Sequence, residues 1–201
     1  MAKRAFDFVV SLVGLIILTP LFLFLAILIK LDSRGPVFYK ASRVGQGGRT
    51  FGMYKFRTMR DDADQMGGGP SCADNDCRIT RMGTFLRRFK LNELPQLINV
   101  LKGDMSFVGP RPEVQLYVDM FTEEEKSILS VRPGITDWAC IWNSDEGKVL
   151  AEASRNGQDP EQYYMENLRP KKIALQLDYV RNHSFWVDLK ILLKTAVVFF
   201  K

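Results

Sequence analysis

A chain of 201 residues with a formal charge of +5 has room for one domain, or one domain and a membrane element, and favours anionic partners. Three cysteines (Cys72, Cys77, Cys140) and one histidine (His183) argue against a disulfide framework, a zinc site and histidine-based nucleophilic catalysis. Reduced thiols are the expectation.

Phe8 to Ile29 is a run of 22 residues without a charge, preceded by Lys3, Arg4 and Asp7 and followed by Lys30, Asp32 and Arg34. A straight helix of that length reaches roughly 33 Å, enough to cross a bilayer core. No small-residue cleavage site follows it, which argues against a secretory signal. Pro20 removes a helical hydrogen bond near its centre, so a break or sharp bend is expected there. Basic residues flank both ends, and the positive-inside rule does not separate them. Two readings stay open: a re-entrant helix-break-helix dipping into one leaflet, or a kinked spanning helix.

Residues 35–59 predict a β-hairpin, with a strand at Val37–Tyr39, a turn at Gln46–Gly48 and a strand from Thr50 to Met59. Its cations are Arg43, Lys55 and Arg57. Lys55 and Arg57 are two apart and share one face of a strand, where they either contact a phosphate or line a solvated edge. Residues 60–77 read as a polar, Gly-rich loop. Asp61, Asp62 and Asp64 within it suit a solvated acidic run better than a metal site.

Arg78 to Lys90 has apolar residues three and four apart, the pattern of an amphipathic helix. The stretch 84–113 then organises the chain. Asn92 is expected to cap a helix, with Glu93 and Pro95 in its first turn. Free N–H groups there suit an anion. Arg87, Arg88 and Lys90 lie just upstream and Arg111 just downstream, either as phosphate ligands or as a solvated basic flank. Pro110 and Pro112 fix the backbone around Arg111, which lowers the entropy cost of holding its guanidinium in place.

Further on, Thr122 to Glu125 reads as a capping box, and Val131 to Thr136 as a second rigid turn. Asp137 to Trp142 reads as a strand and residues 143–160 as a polar insertion. Asp159-Pro160 and Pro170 open helices. Phe185 to Lys201 suits a helix lying in a membrane interface, with its lysines directed outward. The fold class expected is α+β, mainly helical, with a membrane helix-break-helix over 1–34 and a membrane-associated domain over 35–201.

The block LNELPQLINVLKGDMSFVGPRPE, with YKFRTM, VRPGIT and the Pro-containing apolar segment, resembles the bacterial sugar transferase family, the monotopic polyprenyl-phosphate phosphoglycosyl transferases. The resemblance covers the whole chain and implies the small, catalytic-domain-only form. It implies transfer of a sugar 1-phosphate from a UDP-sugar to undecaprenyl phosphate with release of UMP, through a phosphosugar-enzyme intermediate. It also implies Mg2+, a re-entrant helix, and a place on the cytoplasmic face of the bacterial inner membrane. A nucleic-acid partner has only the net charge in its favour, and the apolar segment argues against it.

By the same resemblance, Glu93 binds the magnesium, and Lys55 and Arg111 lie near the diphosphate. Arg57, Arg87 and Arg88 are further substrate-binding candidates. Asp178 matches another acidic position. Two departures stand out: the family's usual nucleophilic Asp is Asn92 here, and its usual Gly after Ile-Thr is Asp137. A carboxamide oxygen is a poor nucleophile. Three accounts stay open: Asn92 as a replacement that blocks turnover, a natural branch in which Asp137 or Glu93 attacks, or a membrane-surface module that binds without turnover. Asp137 as a compensating carboxylate is the expectation.

Overall fold

The computed structural model describes residues 2–66, 73–74 and 76–199. Cys72 and the Asp64 side chain, named above, lie outside them. The uncharged run becomes the middle of one long helix, α1 (Ala2–Asp32), and helical structure continues with Pro20 inside it. By length and composition α1 can cross a membrane. Most of its large apolar side chains, from Phe6 to Leu31, are exposed. The inward-facing few are Asp7, Ser11, Leu25 and Ile29.

Both ends of α1 are bound to the rest of the chain. Near the start, Lys3 Nζ donates to Val108 O (2.8 Å) and Tyr179 OH (2.9 Å) and pairs with Asp188 (2.7 Å). Arg4 donates to the carbonyls of Val100 and Leu101, and buried Asp7 accepts from Phe107 N. At the far end, Leu25 and Ile29 pack with Phe56 and Leu86. Arg57, itself buried, donates to the carbonyls of Ile29, Ser33 and Arg34. These carbonyls lie in the last turn of α1 and just past its C-terminus, where a cation is favoured.

The hairpin forms as expected: β1 (Phe38–Val44) pairs antiparallel with β2 (Thr50–Phe56), with Tyr39 opposite Lys55 and Ala41 opposite Met53. The second strand stops at Phe56, so Arg57 lies beyond the ladder. Next come α2 (Arg81–Arg88), capped by Thr80, then a 3-10 turn at Leu91–Glu93 and α3 (Gln96–Lys102). β3 (Ser106–Val108) follows, then α4 (Gln115–Val118). The Thr122 and Glu125 side chains accept from each other's backbone N–H, as a capping box does.

β4 (Gly134–Thr136) pairs in parallel with β3. The strand expected at 137–142 is instead a helix, α5 (Trp138–Trp142). Asp137 ends the extended segment by capping that helix, its Oδ1 accepting from Cys140 N at 2.6 Å. The 143–160 insertion folds into α6 (Glu146–Arg155), and α7 (Pro160–Tyr163) is capped by Asp159. A π-helical turn then leads into α8 (Arg169–Asn182), and α9 (Phe185–Phe199) follows. α9 buries Ile191 against Val108 and Tyr179 and exposes Phe185, Trp186 and Leu193.

Where β3 leaves its partner, two glycines let the backbones touch. A Cβ on Gly109 would meet Arg132 O, and a Cβ on Gly134 would meet the Gly109 backbone. This crossing sets the Arg111 turn beside Asp137. Gly134→Ala is expected to cost about 2 kcal/mol or more, because only backbone can yield there. Denaturant unfolding of the detergent-solubilised protein measures it.

Candidate active site

The chain reverses after α2 at Lys90, which sits in the left-handed region at φ 54°. A non-glycine residue there is strained and is held by its surroundings. Lys90 Nζ donates to Ser144 O at 2.6 Å, tying this reversal to the segment after α5. The cap expected at Asn92 does not form: Asn92 lies inside the 3-10 turn, and Pro95, with helical φ and ψ, precedes α3. Asn92 is buried and its Oδ1 has no hydrogen-bond partner.

Glu93 is the centre of the site. Its Oε1 accepts from the Arg111 guanidinium and lies 3.5 Å from Lys55 Nζ. All three side chains are 22% exposed, so a ligand can reach them. β2 supplies Lys55, the 3-10 turn Glu93, and the turn after β3 Arg111. Arg111 is also held by its backbone, its N–H donating to Asp137 Oδ2 at 3.1 Å. Gln176 of α8 donates to the same Oδ2 (3.1 Å) and to Arg111 O (3.4 Å).

Charge at this site is biased toward cations. Burial lowers the Lys55 pKa to about 8, with Arg111, Arg43 and Arg87 adding to the effect and Glu93 opposing it. Burial alone would raise Glu93, but Arg111 and Lys55 outweigh it and hold the carboxyl at about 2. Arg111 is held above its usual value by Glu93, against the effect of burial. Arg43 is lowered by burial and by Arg111. The Cys140 thiol is pushed well up, first by burial and then by Asp137. The arrangement suits an incoming anion that shares the cations now drawn to Glu93, and Arg111 offers a fork matched to phosphate.

The structure brings together Lys55, Glu93, Arg111 and Asp137, with Arg87 near Lys55 and donating to Thr58 Oγ1. It places three other candidates elsewhere. Arg57 is committed to the end of α1. Arg88 is exposed and lies over the Phe89 ring. Asp178 is exposed and accepts from Asn182. Sequence reasoning missed Cys140 and Gln176 and gave Arg43 no place at the site. Gln176 left a signal: it is a polar residue three positions from both Ile173 and Tyr179 on the buried stripe of α8.

An exposed apolar helix and a cation-rimmed carboxylate define a protein suited to anionic ligands and consistent with membrane association. The chain belongs to the bacterial sugar transferase family, whose match spans residues 1–201. It is 37% identical over 198 residues to the UDP-N-acetylgalactosamine-undecaprenyl-phosphate N-acetylgalactosaminephosphotransferase of Aeromonas hydrophila, covering 96% of this chain and 42% of that protein. It is 40% identical to the UDP-glucose:undecaprenyl-phosphate glucose-1-phosphate transferase of Xanthomonas campestris pv. campestris, covering 98% of this chain and 38% of that protein. The uncharacterized sugar transferase EpsL of Bacillus subtilis (strain 168) is 38% identical, with 96% and 85% covered. The chain therefore spans about two fifths of the length of the first two relatives.

The Lys55 value fixes a pH dependence. Its charge is lost as pH rises through about 8, while Glu93 stays ionised down to about 2. Binding of inorganic pyrophosphate, followed by calorimetry, is expected to weaken above pH 8, by up to about tenfold per pH unit. Lys55→Arg is expected to flatten that limb. Stability moves the other way: between about 8 and the unfolded lysine value the unfolded chain binds more protons, so rising pH favours folding.

Proposed function

We propose that this protein transfers a sugar 1-phosphate from a UDP-sugar to a polyprenyl phosphate and releases UMP. The observation that carries this reading is Glu93 bracketed by Arg111 and Lys55, with Arg43, Arg87 and Lys90 close enough to act on its charge or on that of Lys55. Cations in excess over carboxylates suit two phosphate-bearing substrates. The names of the relatives above support the same chemistry. Arg111 and Lys55 would stabilise charge on the phosphoryl group in transfer. Arg57 would act through the end of α1 rather than on the substrate.

Magnesium fits the donor set. Among the described residues no cluster of three or more histidine, cysteine or carboxylate side chains could enclose an ion. Glu93 and its sequence neighbour Asn92, whose Oδ1 has no hydrogen-bond partner, would offer hard oxygen donors, and a diphosphate would complete the shell. Bound there, the ion would neutralise diphosphate charge.

The membrane reading is re-entrant, with the domain on the cytoplasmic face of the bacterial inner membrane. Its support is the double anchoring of α1. A spanning helix separates its ends by a hydrocarbon core of about 30 Å, and only one end could then touch the domain. Pro20 is the natural bend, and Thr19 Oγ1, donating to Leu15 O at 2.7 Å, is a further bending contact. Exposed Phe85, Phe89, Phe185 and Trp186 suit the interface. Impermeant maleimide is expected to label both Ala2→Cys and Arg34→Cys, in a cysteine-free background, from the cytoplasmic side alone. Label from opposite sides would mean a spanning helix.

UMP release from a panel of UDP-sugars, with magnesium and solubilised undecaprenyl phosphate, tests the reaction. Release is expected, and Arg111→Ala is expected to lower it by roughly a hundredfold or more. Asn92 favours a second reading, binding without turnover. No release from this protein, with release from Asn92→Asp, would select it.

A further inference from the structure

We infer that Arg43 is a substrate-binding residue of this site and holds the nucleotide-side phosphate of the UDP-sugar, the one that departs in UMP. The inference rests on the transfer reaction proposed above and adds which end of the diphosphate lies where.

Arg43 shares one face of the hairpin with Tyr39 and Ala41 on β1 and with Phe51, Met53 and Lys55 on β2. The middle of that face is buried. Ala41 and Met53 pack with Val100 and Met105, and both Phe51, opposite Arg43, and Ile135 of β4 lie against them. Ile135 O in turn accepts from Arg111 Nη1 at 3.3 Å. The backbone repeats the connection, because Val44 N donates to Glu113 O at 2.9 Å. Val44 and Gly45 line one groove with Pro110, Arg111, Pro112 and Glu113. Arg43, half-buried, is thus held beside the Arg111 turn.

Its charge is not spent there. The Arg43 guanidinium donates to Ser42 O at 2.8 Å and makes no ion pair among the described residues. Burial and Arg111 work against its charge, while Glu113, Tyr39 and Glu93 favour it. Both of those carboxylates are engaged by other cations, Glu113 by Lys172 at 2.6 Å and Glu93 by Arg111 and Lys55. A phosphate would relieve the repulsion between two neighbouring guanidinium groups, and each offers it a planar fork.

The register gives the direction. Lys55 stands opposite Tyr39, so Arg43 lies four positions further along the face, roughly 13 Å away. Two cations approaching Glu93 and Arg111 from opposite ends suit two linked phosphates better than one. The Lys55 end adjoins α1, since Arg57, two residues on, donates to the Ser33 and Arg34 carbonyls. Arg43 lies toward the hairpin turn. A lipid-borne phosphate travels with its apolar chain and meets the Lys55 end, whereas the nucleotide arrives from water and takes the Arg43 end. In the overall transfer an oxygen of the polyprenyl phosphate bonds to the β-phosphorus. The bond from that phosphorus to the bridging oxygen breaks, and its electron pair leaves with UMP. Arg43 would neutralise the charge that gathers on this leaving phosphate and would move no proton.

The test uses the full chain in detergent and three probes. UMP carries the nucleotide-side phosphate alone, glucose 1-phosphate the sugar-side phosphate alone, and undecaprenyl phosphate the acceptor phosphate. Phenylglyoxal labelling of arginines in the unaltered protein, mapped by peptide mass spectrometry, is expected to show Arg43 protected by UMP and left open by the other two. Protection by glucose 1-phosphate or undecaprenyl phosphate equal to that by UMP overturns the assignment, as does no protection by saturating UMP. By calorimetry, Arg43→Ala is expected to weaken UMP about tenfold or more and glucose 1-phosphate less than about twofold, with Arg43→Lys recovering part of the loss. Equal loss for both ligands, in a variant whose circular dichroism is unchanged, overturns it too. If Arg43→Ala does not fold, the labelling of the unaltered protein decides. Protection of Arg43 by UMP without UMP release from any UDP-sugar would remove the transfer reaction and keep the phosphate site.

Discussion

The Asp137 carboxylate is the point on which the site depends. Three N–H donors meet on it, from the Arg111 backbone, from the first turn of α5 and from Gln176 on α8. A buried carboxylate without donors would be strongly disfavoured, so these three segments are held together or not at all. The close crossing of Gly109 and Gly134 brings the partners into range. Arg111 is thereby fixed through its main chain before its guanidinium reaches Glu93. Pre-organisation of this kind lowers the cost of holding a charged group toward a ligand.

A second constraint acts at the apolar helix. α1 presents most of its surface as unpartnered hydrocarbon, yet its two ends are among the most polar contacts of the fold. Lys3, Arg4 and Asp7 reach the β3 region, α3, α8 and α9. Arg57 holds the other end from just after β2. Since β2 also carries Lys55, the strand that delivers a site cation is continuous with the anchor of the helix. The same geometry that seats α1 therefore sets how far the site lies from an apolar surface.

Much of this was legible in the sequence. The hairpin, the capping box at Thr122, the helix starts at Asp159 and Pro170 and the apolar segment all follow from local rules, because each depends on residues within a few positions. Glu93, Lys55 and Arg111 were legible as a charged group, since the two prolines around Arg111 and the cations near Glu93 are local signals. The errors share one cause. Asp137 to Trp142 read as a strand because its apolar residues fit one, but the short extended piece ended a residue earlier, where Asp137 found an N–H to accept from. Asn92 read as a cap because of its type, while the helix it was meant to cap began only after Pro95.

What the sequence determined by itself was the set of parts: a membrane-length apolar helix, a basic site segment, rigid turns and the family resemblance. What only the tertiary structure decided was which charges meet. Arg57 and Lys55 are two residues apart, yet one serves a helix end and the other the site, because the strand stops between them. Asp178 and Gln176 are two residues apart on α8, and it is the uncharged one that faces Arg111. Asp137, read from the sequence as a compensating carboxylate, is buried and accepts from the Arg111 and Cys140 backbone N–H groups and from Gln176. Those outcomes depend on contacts between residues distant along the chain, and no local pattern encodes them.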